Sequence, residues 1–440
     1  MTRIENLGEP GPAAATGAKP AVDLSKRDLT LDLTRVFCVL LVVAIHLMFV
    51  GVGHTKSGAL TISRPLDHES WFPLATWAGQ IMPVFFVVGG FAGLTSWRSS
   101  VRKGKNAQDF ARTRVLRLAQ PAFPLFVFYV VVLGGATLIG VDPNLLAGVA
   151  SGAGSPLWFL AAYTLCQALV PFMAGMHERA PKTTLLVLLA CAILVDVLRY
   201  STDNVLIGLV NLAFVWLLIQ QFGFWYADGW FDRRAWWQLV AIAAACYALL
   251  IPLTTVGPYS VDMLTDLNPP TVPLILLGLA QACLLRLLKP ALTALMRTRA
   301  AKGVVFVVGS RLMTVYLWHL PVIIIFIGAA LLIPGASPEP ASAAWWLSRP
   351  LFYIVVLVAL FGLSFLVGRW ETPREVGVTP PAWIVALCAV LVFVPALLIL
   401  QWFLGLEFAI LGAVFYGAAV LMLGRWKSRS APAPVVSSSS

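Results

Sequence analysis

Long apolar runs alternate with short polar segments along most of the chain. A helix needs about 20 apolar residues to cross the hydrocarbon core of a bilayer. Runs that approach or exceed this length lie near residues 33–53, 72–96, 117–140, 155–174, 183–198, 204–227, 236–254, 270–290, 303–332, 345–369, 382–404 and 406–424. The pattern predicts an all-α fold, a polytopic membrane helix bundle of about 12 transmembrane helices.

Composition supports the same class of protein. Of the 440 residues, 59% are hydrophobic and 12% are charged, and the mean hydropathy is +0.85, which is unlike ordinary soluble domains. Residues 1–27 and 427–440 are rich in small residues and Pro and contain no apolar core. We expect both segments to be disordered tails.

The distribution of basic residues predicts the orientation. The formal net charge is +11, and most Lys and Arg residues fall in loops that share one side of the membrane with the amino terminus. Basic loops stay in the cytoplasm, so both termini are predicted to be cytoplasmic. The basic excess is thus a topology signal, and we expect no nucleic acid partner.

Cysteine and histidine spacing predicts no metal site. The six cysteines are scattered singly through apolar runs, as buried small hydrophobic residues would be. In the loop after the first span, His54, Asp67, His68 and Glu69 match no standard ligand spacing. A solvated loop is therefore the favoured interpretation.

The first span carries two ionisable residues on one helical face. Arg35 and His46 are separated by almost three turns, which places them roughly 16 Å apart along the axis. Ionisable groups at membrane depth are costly and mark functional sites. An imidazole midway along an apolar helix could accept a proton from a hydroxyl group. The alternatives are an interfacial anchor paired with Asp32 and a satisfied structural histidine.

Glycines and arginines follow in the second and third spans. Gly89, Gly90 and Gly93 favour close helix packing, with a narrow passage beside the imidazole as the functional alternative. Arg114 and Arg117 lie three residues apart at the predicted start of the third span, where two forked donors on one side could bind phosphates. An inside-positive loop explains the charge equally well, but it does not explain that spacing.

Later segments add four candidates. Trp158 opens the fourth span, either as part of a site or as an interfacial aromatic residue. Arg311 is predicted to lie inside the ninth span, where it needs a carboxylate, a bound anion or a cage of carbonyl groups. In the same segment, Tyr316 lies one turn from His319.

Taken in order, these segments resemble the motifs of the membrane-bound acyltransferase family 3, whose members acylate sugars, cell-surface polymers and some antibiotics. The resemblance is carried by Leu31-Asp-Leu-Thr-Arg35 with His46, Phe85-Phe-Val-Val-Gly-Gly-Phe91, Arg114-Val-Leu-Arg117, Leu157-Trp-Phe-Leu160 and Thr314-Val-Tyr-Leu-Trp-His319. It implies a core of about ten helices over residues 28–370, followed by an additional pair of spans in residues 371–426.

The family resemblance implies an acyl-CoA donor, with acetyl-CoA as the expected one, bound on the cytoplasmic side. Arg114 and Arg117, together with Arg35, would bind the phosphates of coenzyme A. Arg311 would contact either the donor or the thioester oxyanion. No metal cofactor is implied.

The same resemblance implies a sugar, a lipid-linked glycan or a similar acceptor with a hydroxyl group or an amine. His46 would be either the base or a transient acyl carrier, and Arg35 would act with it in catalysis. Tyr316, His319 and Trp158 would line the acceptor side. Membrane lipids are the remaining expected partner, and the oligomeric state stays open.

Two other classes of protein fit parts of the pattern. A secondary transporter or glycan exporter commonly has twelve spans, but acidic residues within the spans are few, and Asp196 and Glu407 lie near the ends of theirs. A non-catalytic partner in polymer assembly would have no need of Arg35 and His46. The leading prediction is a multi-pass acyltransferase of a bacterial-type plasma (inner) membrane.

Overall fold

The computed structural model describes residues 28–54, 60–371 and 380–424. The tails predicted to be disordered, residues 1–27 and 427–440, lie outside the described residues. The helices are α1 (Leu29–Phe49), α2 (Phe72–Gly79), α3 (Met82–Arg102), α4 (Ala107–Leu138), α5 (Pro143–Gly154), α6 (Trp158–Ala168), α7 (Val170–Arg179), α8 (Pro181–Thr202), α9 (Val205–Gly208), α10 (Asn211–Ala227), α11 (Trp236–Thr255), α12 (Val272–Leu295), α13 (Arg299–Gly309), α14 (Leu312–Leu331), α15 (Ala343–Val367), α16 (Ala382–Trp402) and α17 (Leu406–Gly424).

Within the described residues, twelve helical segments are long and apolar enough to cross a membrane. This confirms the predicted all-α polytopic bundle and its number of spans. A short antiparallel hairpin, β1 (Gly51–His54) with β2 (Leu60–Ser63), lies between α1 and α2 and was not predicted. Its strands have four residues each, too few for an alternating pattern to stand out from the neighbouring apolar helices.

The third span begins earlier than predicted. Asn106 caps α4, because its side-chain oxygen accepts a hydrogen bond from the backbone N–H of Asp109 at 2.9 Å. Arg112, Arg114 and Arg117 therefore lie inside the helix and not at its start. The hydropathy pattern did not predict residues 107–116 as helix, because a helical segment that carries several arginines has the same composition as a basic loop.

The ninth predicted span is two helices, so the prediction that Arg311 lies inside a continuous span was wrong. Arg311 is the residue that precedes α14, with φ −128° and ψ 18°, and the chain turns there after α13. Its guanidinium lies against Gly368. Glu371 accepts a hydrogen bond from the backbone N–H of Thr314 and attracts Arg311 electrostatically. Of the three partners that the sequence left open for Arg311, a nearby carboxylate is the one that the structure supplies, through Glu371.

Close helix packing explains the glycines of α3. A Cβ atom on Gly90 would overlap the backbone carbonyl of Gln220 in α10, and one on Gly223 would overlap the carbonyl of Val87. The two helices therefore touch backbone to backbone, as small residues permit in membrane proteins. The packing interpretation is confirmed for Gly90.

The two C-terminal spans belong to the packed bundle. α17 lies along α4, and α16 packs on α6 and against α17. The side chain of Arg112 is fully buried, and its Nε and Nη2 atoms donate to the carbonyl oxygen of Leu423 at 3.1 and 2.5 Å. Since the last carbonyl groups of a helix have no partner within it, Arg112 satisfies one at the end of α17.

Candidate active site

Two imidazole rings meet between α1 and α14. The ring centroids of His46 and His319 are 4.8 Å apart at an interplanar angle of 71°. His46 lies in the last turn of α1, so the prediction of a position midway along the helix was wrong. The apolar run alone gave no signal for where the helix ends, because the chain continues into apolar positions of β1.

The backbone fixes the proton positions on both rings. Nδ1 of His46 is 2.8 Å from the carbonyl oxygen of Val42, and Nδ1 of His319 is 2.5 Å from that of Tyr316. A carbonyl oxygen only accepts, so each Nδ1 carries the hydrogen and each Nε2 keeps a lone pair. Nε2 of His319 is buried without a hydrogen-bond partner among the described residues. Each imidazole of the pair therefore has an Nε2 atom that could accept a proton.

A cavity of about 830 Å³ opens beside His46. Tyr316, Pro156 and Trp158 also line it, and the hydroxyl group of Tyr316 donates to the carbonyl oxygen of Pro156. Its volume lies in the range of pockets that hold small-molecule ligands. His319 does not line the cavity, but its ring packs against the ring of His46. The structure thus brings His46, Tyr316 and Trp158 to one cavity and places His319 against His46; that these residues act on an acceptor stays a prediction.

Trp158 is a buried wall residue and not part of an interfacial belt. Only 6% of it is exposed. Its ring stacks on Trp216 at 5.6 Å, and Trp216 stacks on Phe86 at 4.2 Å. This column of rings joins α6, α10 and α3 behind the cavity, so it fixes the position of the cavity wall.

Arginines gather at the other end of α1, which we call the arginine end: Arg35, Arg114, Arg117 and Arg311. Nη2 of Arg35 donates to the carbonyl oxygen of Val88 at 3.3 Å, and its Nη1 is 3.7 Å from Asp32. Arg35 and Arg117 both act electrostatically on Arg114, whose guanidinium lies 4.8 Å from the ring of Phe110. Among the described residues, no carboxylate lies within 4.0 Å of Arg114 or Arg117. Asp32 lies beside Arg35 and Glu371 attracts Arg311, so Arg114 and Arg117 are the two members of the cluster without a close carboxylate, and they make this end a candidate anion site.

Arg311 belongs to the same end of the bundle. Gly309, two residues earlier, faces Val36, the neighbour of Arg35. Arg311 does not line the cavity beside His46. From Arg311 to His319 the chain rises roughly 12 Å along α14, and from Arg35 to His46 it rises roughly 16 Å along α1. Both helices therefore lead from the arginine end to the imidazole pair.

An aromatic layer separates the arginine end from the imidazole pair. Tyr163 lies near Arg114, and its ring stacks on Phe159 at 5.0 Å. Phe159 in turn lies 4.8 Å from the ring of Tyr316. A Cβ atom on Gly89 would lie 3.1 Å from Tyr163, so Gly89 makes room for this ring.

Sequence reasoning missed several residues of this region. Tyr163 follows Trp158 on the same helix, but its type is ordinary in an apolar span. Arg64, which lines the cavity, lies in the loop that was interpreted as solvated. Ile399 and Leu400 of α16 also line the cavity. Only the helix arrangement brings these positions together, and no local spacing signals it.

These features define a multi-pass membrane protein with a buried imidazole pair, a ligand-sized cavity and a separate arginine cluster. A family model described as an acyltransferase domain matches residues 28–369. The chain therefore belongs to the membrane acyltransferase family 3 and is an acyltransferase enzyme. Searches of curated proteins and of solved structures found no match. The matched segment includes every predicted site residue and ends before α16.

Proposed function

We propose that the protein transfers an acyl group, with acetyl as the first candidate, from acyl-CoA to a hydroxyl group or an amine of a sugar or glycolipid. The observation that carries this proposal is the placement of the His46–His319 pair beside a ligand-sized cavity, with an arginine cluster at the other end of the same helix. The positive-inside rule puts the arginine end and both termini in the cytoplasm. The donor then arrives from the cytoplasm of a bacterial-type cell, and the acceptor reaches the opposite end of the bundle.

The donor binds through its phosphates. Arg114, Arg117 and Arg35 supply planar forked donors that match phosphate oxygens, and their mutual repulsion falls when an anion binds between them. Arg311 lies at this same end, which favours a donor contact over a role at the thioester oxyanion. The pantetheine arm then spans the roughly 16 Å to His46.

His46 acts at the thioester. Its Nε2 lone pair takes the proton of the acceptor hydroxyl group, and the oxygen attacks the thioester carbonyl carbon. The new C–O bond forms, the C–S bond breaks, and the proton passes from the imidazole to the departing thiolate. In the covalent variant, Nε2 attacks the thioester carbonyl carbon and the C–S bond breaks, which leaves a CoA thiolate and an acyl-imidazolium on His46. The acceptor oxygen then attacks the acyl carbon, the C–N bond breaks, and the acceptor proton goes to the thiolate.

The test uses the purified full-length protein in lipid nanodiscs with radiolabelled acetyl-CoA, and measures thiol release and label on glycan acceptors. We expect His46→Ala to reduce turnover on the order of 10²-fold to 10⁴-fold while the dissociation constant for CoA stays unchanged. His68→Ala is the matched control, because His68 is exposed in the loop. Unchanged turnover in His46→Ala would exclude the catalytic role. Glycan movement without thiol release would favour an exporter.

A further inference from the structure

One face of α14 forms an apolar stripe that leads away from the imidazole pair. The cavity-lining residues of this helix are Tyr316, Leu320, Ile324, Ile327, Gly328 and Leu331. They recur every three or four positions, so they lie on one side of the helix. From Tyr316 to Leu331 the stripe extends roughly 22 Å. An acetyl group needs only a small part of that length.

The end of α16, the first helix of the C-terminal pair, contributes to the wall of the same cavity. Ile399, Leu400 and Phe403 line the cavity from the end of α16. Leu404, just beyond α16, and Ile399 pack against Gly154 at the end of α5. α16 lies outside the segment that matches the family model, so this part of the wall is a feature of this chain beyond the family core.

Polar groups line the same cavity. Arg64 lies with its guanidinium 4.6 Å from the ring of Phe49 and acts electrostatically on His46. Gln80, Ser155 and Asn268 also contribute lining atoms. A free sugar would leave the aliphatic stripe unused, and a plain hydrocarbon chain would leave the polar groups unused. A molecule with a polar head and a hydrocarbon chain uses both.

We propose that the acceptor is an amphiphile whose hydrocarbon chain lies between the α14 stripe and the end of α16, so that the C-terminal pair determines acceptor specificity. This inference rests on the proposed function, because it takes His46 as the point of transfer. The hydroxyl-bearing head lies at His46, and the chain extends toward Gly328 and Leu400.

The glycines of the cavity provide a sharp test. Gly328 and Gly152 line the cavity, and a Cβ atom on either would meet nothing within 4 Å, so we expect a leucine there to take up cavity volume. Gly362 in α15 has equally open surroundings but does not line the cavity. Gly362→Leu is therefore the matched control. On α16, Leu400→Asn makes the wall polar, and Leu387→Asn is its control outside the cavity.

The first measurement compares acetyl transfer to dodecyl glucoside and to methyl glucoside in nanodiscs. We expect Gly328→Leu, Gly152→Leu and Leu400→Asn to lower kcat/KM about 10-fold or more for the dodecyl acceptor, and less than about twofold for the methyl acceptor. Partitioning into the bilayer enriches the long-chain acceptor equally for every variant, so only differences between variants count. Equal losses for both acceptors would overturn the inference.

The second measurement needs no turnover. Dodecyl glucoside with a diazirine in its chain is photoactivated in nanodiscs, and the labelled peptides are identified. We expect labelling of residues 399–403 above the level at the exposed, apolar Leu351, and its loss in Gly328→Leu but not in Gly362→Leu. If residues 399–403 are labelled in Gly328→Leu as strongly as in the wild type, the inference is overturned.

The occupant could instead be the chain of a long-acyl donor. Loss of palmitoyl-CoA binding in Gly328→Leu, with dodecyl glucoside labelling unaffected, would assign the cavity to the donor and overturn the inference. Specific labelling without thiol release from any acceptor would refute the proposed function while leaving the binding site in place.

Discussion

His46 and His319 present their imidazole rings to each other at 4.8 Å, and each ring donates through Nδ1 to a backbone carbonyl of its own helix. The arrangement fixes both tautomers without any carboxylate. Two positive charges at this spacing would repel each other strongly, so the pair holds at most one extra proton. That is the state a base reaches when it has taken one proton from an acceptor.

His319→Phe tests whether this pairing matters for catalysis. We expect turnover to fall on the order of 10²-fold, because His46 loses the polar ring that packs against it. The dissociation constant for CoA should not change, since His319 lies away from the arginine end. His319→Gln restores a polar partner and should recover part of the rate. A rate equal to wild type in His319→Phe would show that His319 only fills space.

Arg114 is expected to contribute chiefly to donor binding. Arg114→Ala should weaken CoA binding by about 10-fold to 100-fold, which corresponds to losing a charge-assisted hydrogen bond. Arg114→Lys keeps the charge but loses the fork, so it should recover affinity only in part. Calorimetric titration at low and high salt measures this, and the wild type should lose affinity with salt more steeply than Arg114→Ala. Arg102→Ala, at an exposed arginine, is the control, and an equal loss there would remove the specific role of Arg114.

Arg112 differs from Arg114 and Arg117 in its contacts, because its guanidinium donates to the carbonyl oxygen of Leu423. Arg112→Leu should destabilise the fold by about 1–3 kcal/mol, because the carbonyl oxygen of Leu423 loses a buried donor. CoA binding should stay at the wild-type level. Thermal unfolding in nanodiscs and CoA titration together separate this structural arginine from Arg114. Lost CoA binding with an unchanged melting temperature would contradict the assignment.

The backbone contact at Gly90 should be sensitive to a single methyl group. Gly90→Ala forces the methyl group onto the carbonyl of Gln220, and we expect a loss of about 1–3 kcal/mol in the free energy of unfolding. Gly135→Ala in α4 has open space around it and should be neutral or slightly stabilising. Equal melting temperatures for the two variants would contradict the close crossing of α3 and α10.

Asp266 gives the fold a predicted pH dependence. It lies in the loop before α12, whose residues Leu264 and Leu267 line the cavity. Burial raises its pKa from 3.8 to about 7. Between these values the folded protein keeps a proton that the unfolded chain has released, so the free energy of unfolding falls as the pH rises. We expect the melting temperature to be higher at pH 5 than at pH 8 by a few degrees.

Asp266→Asn should remove most of that difference, because the amide does not titrate. Asp203→Asn is the control, since Asp203 is exposed at the end of α8. A pH dependence that persists unchanged in Asp266→Asn would show that another group causes it.

The sequence predicted the helix bundle well because each membrane span can be recognised from its own run of apolar residues. The family resemblance singled out His46, Tyr316, His319 and Trp158 from ordered motifs, and the structure places these residues near one another, while their roles stay predictions. The turn between α13 and α14 was not predicted, since the apolar pattern continues on both sides of Arg311. The structural role of Arg112 and the wall residues Ile399 and Leu400 depend on contacts between segments far apart in the chain, which no local pattern encodes.

The aromatic layer at Tyr163 bears on how a molecule would pass from the arginine end to the imidazole pair. Phe159 is almost completely buried, and its ring packs against the rings of Phe85, Phe86 and Tyr163. Under the proposed function, the thioester has to pass these rings to reach His46, so its arrival requires the rings to move apart. Because the rings contact one another at rest, such a route would open only while a donor occupies it.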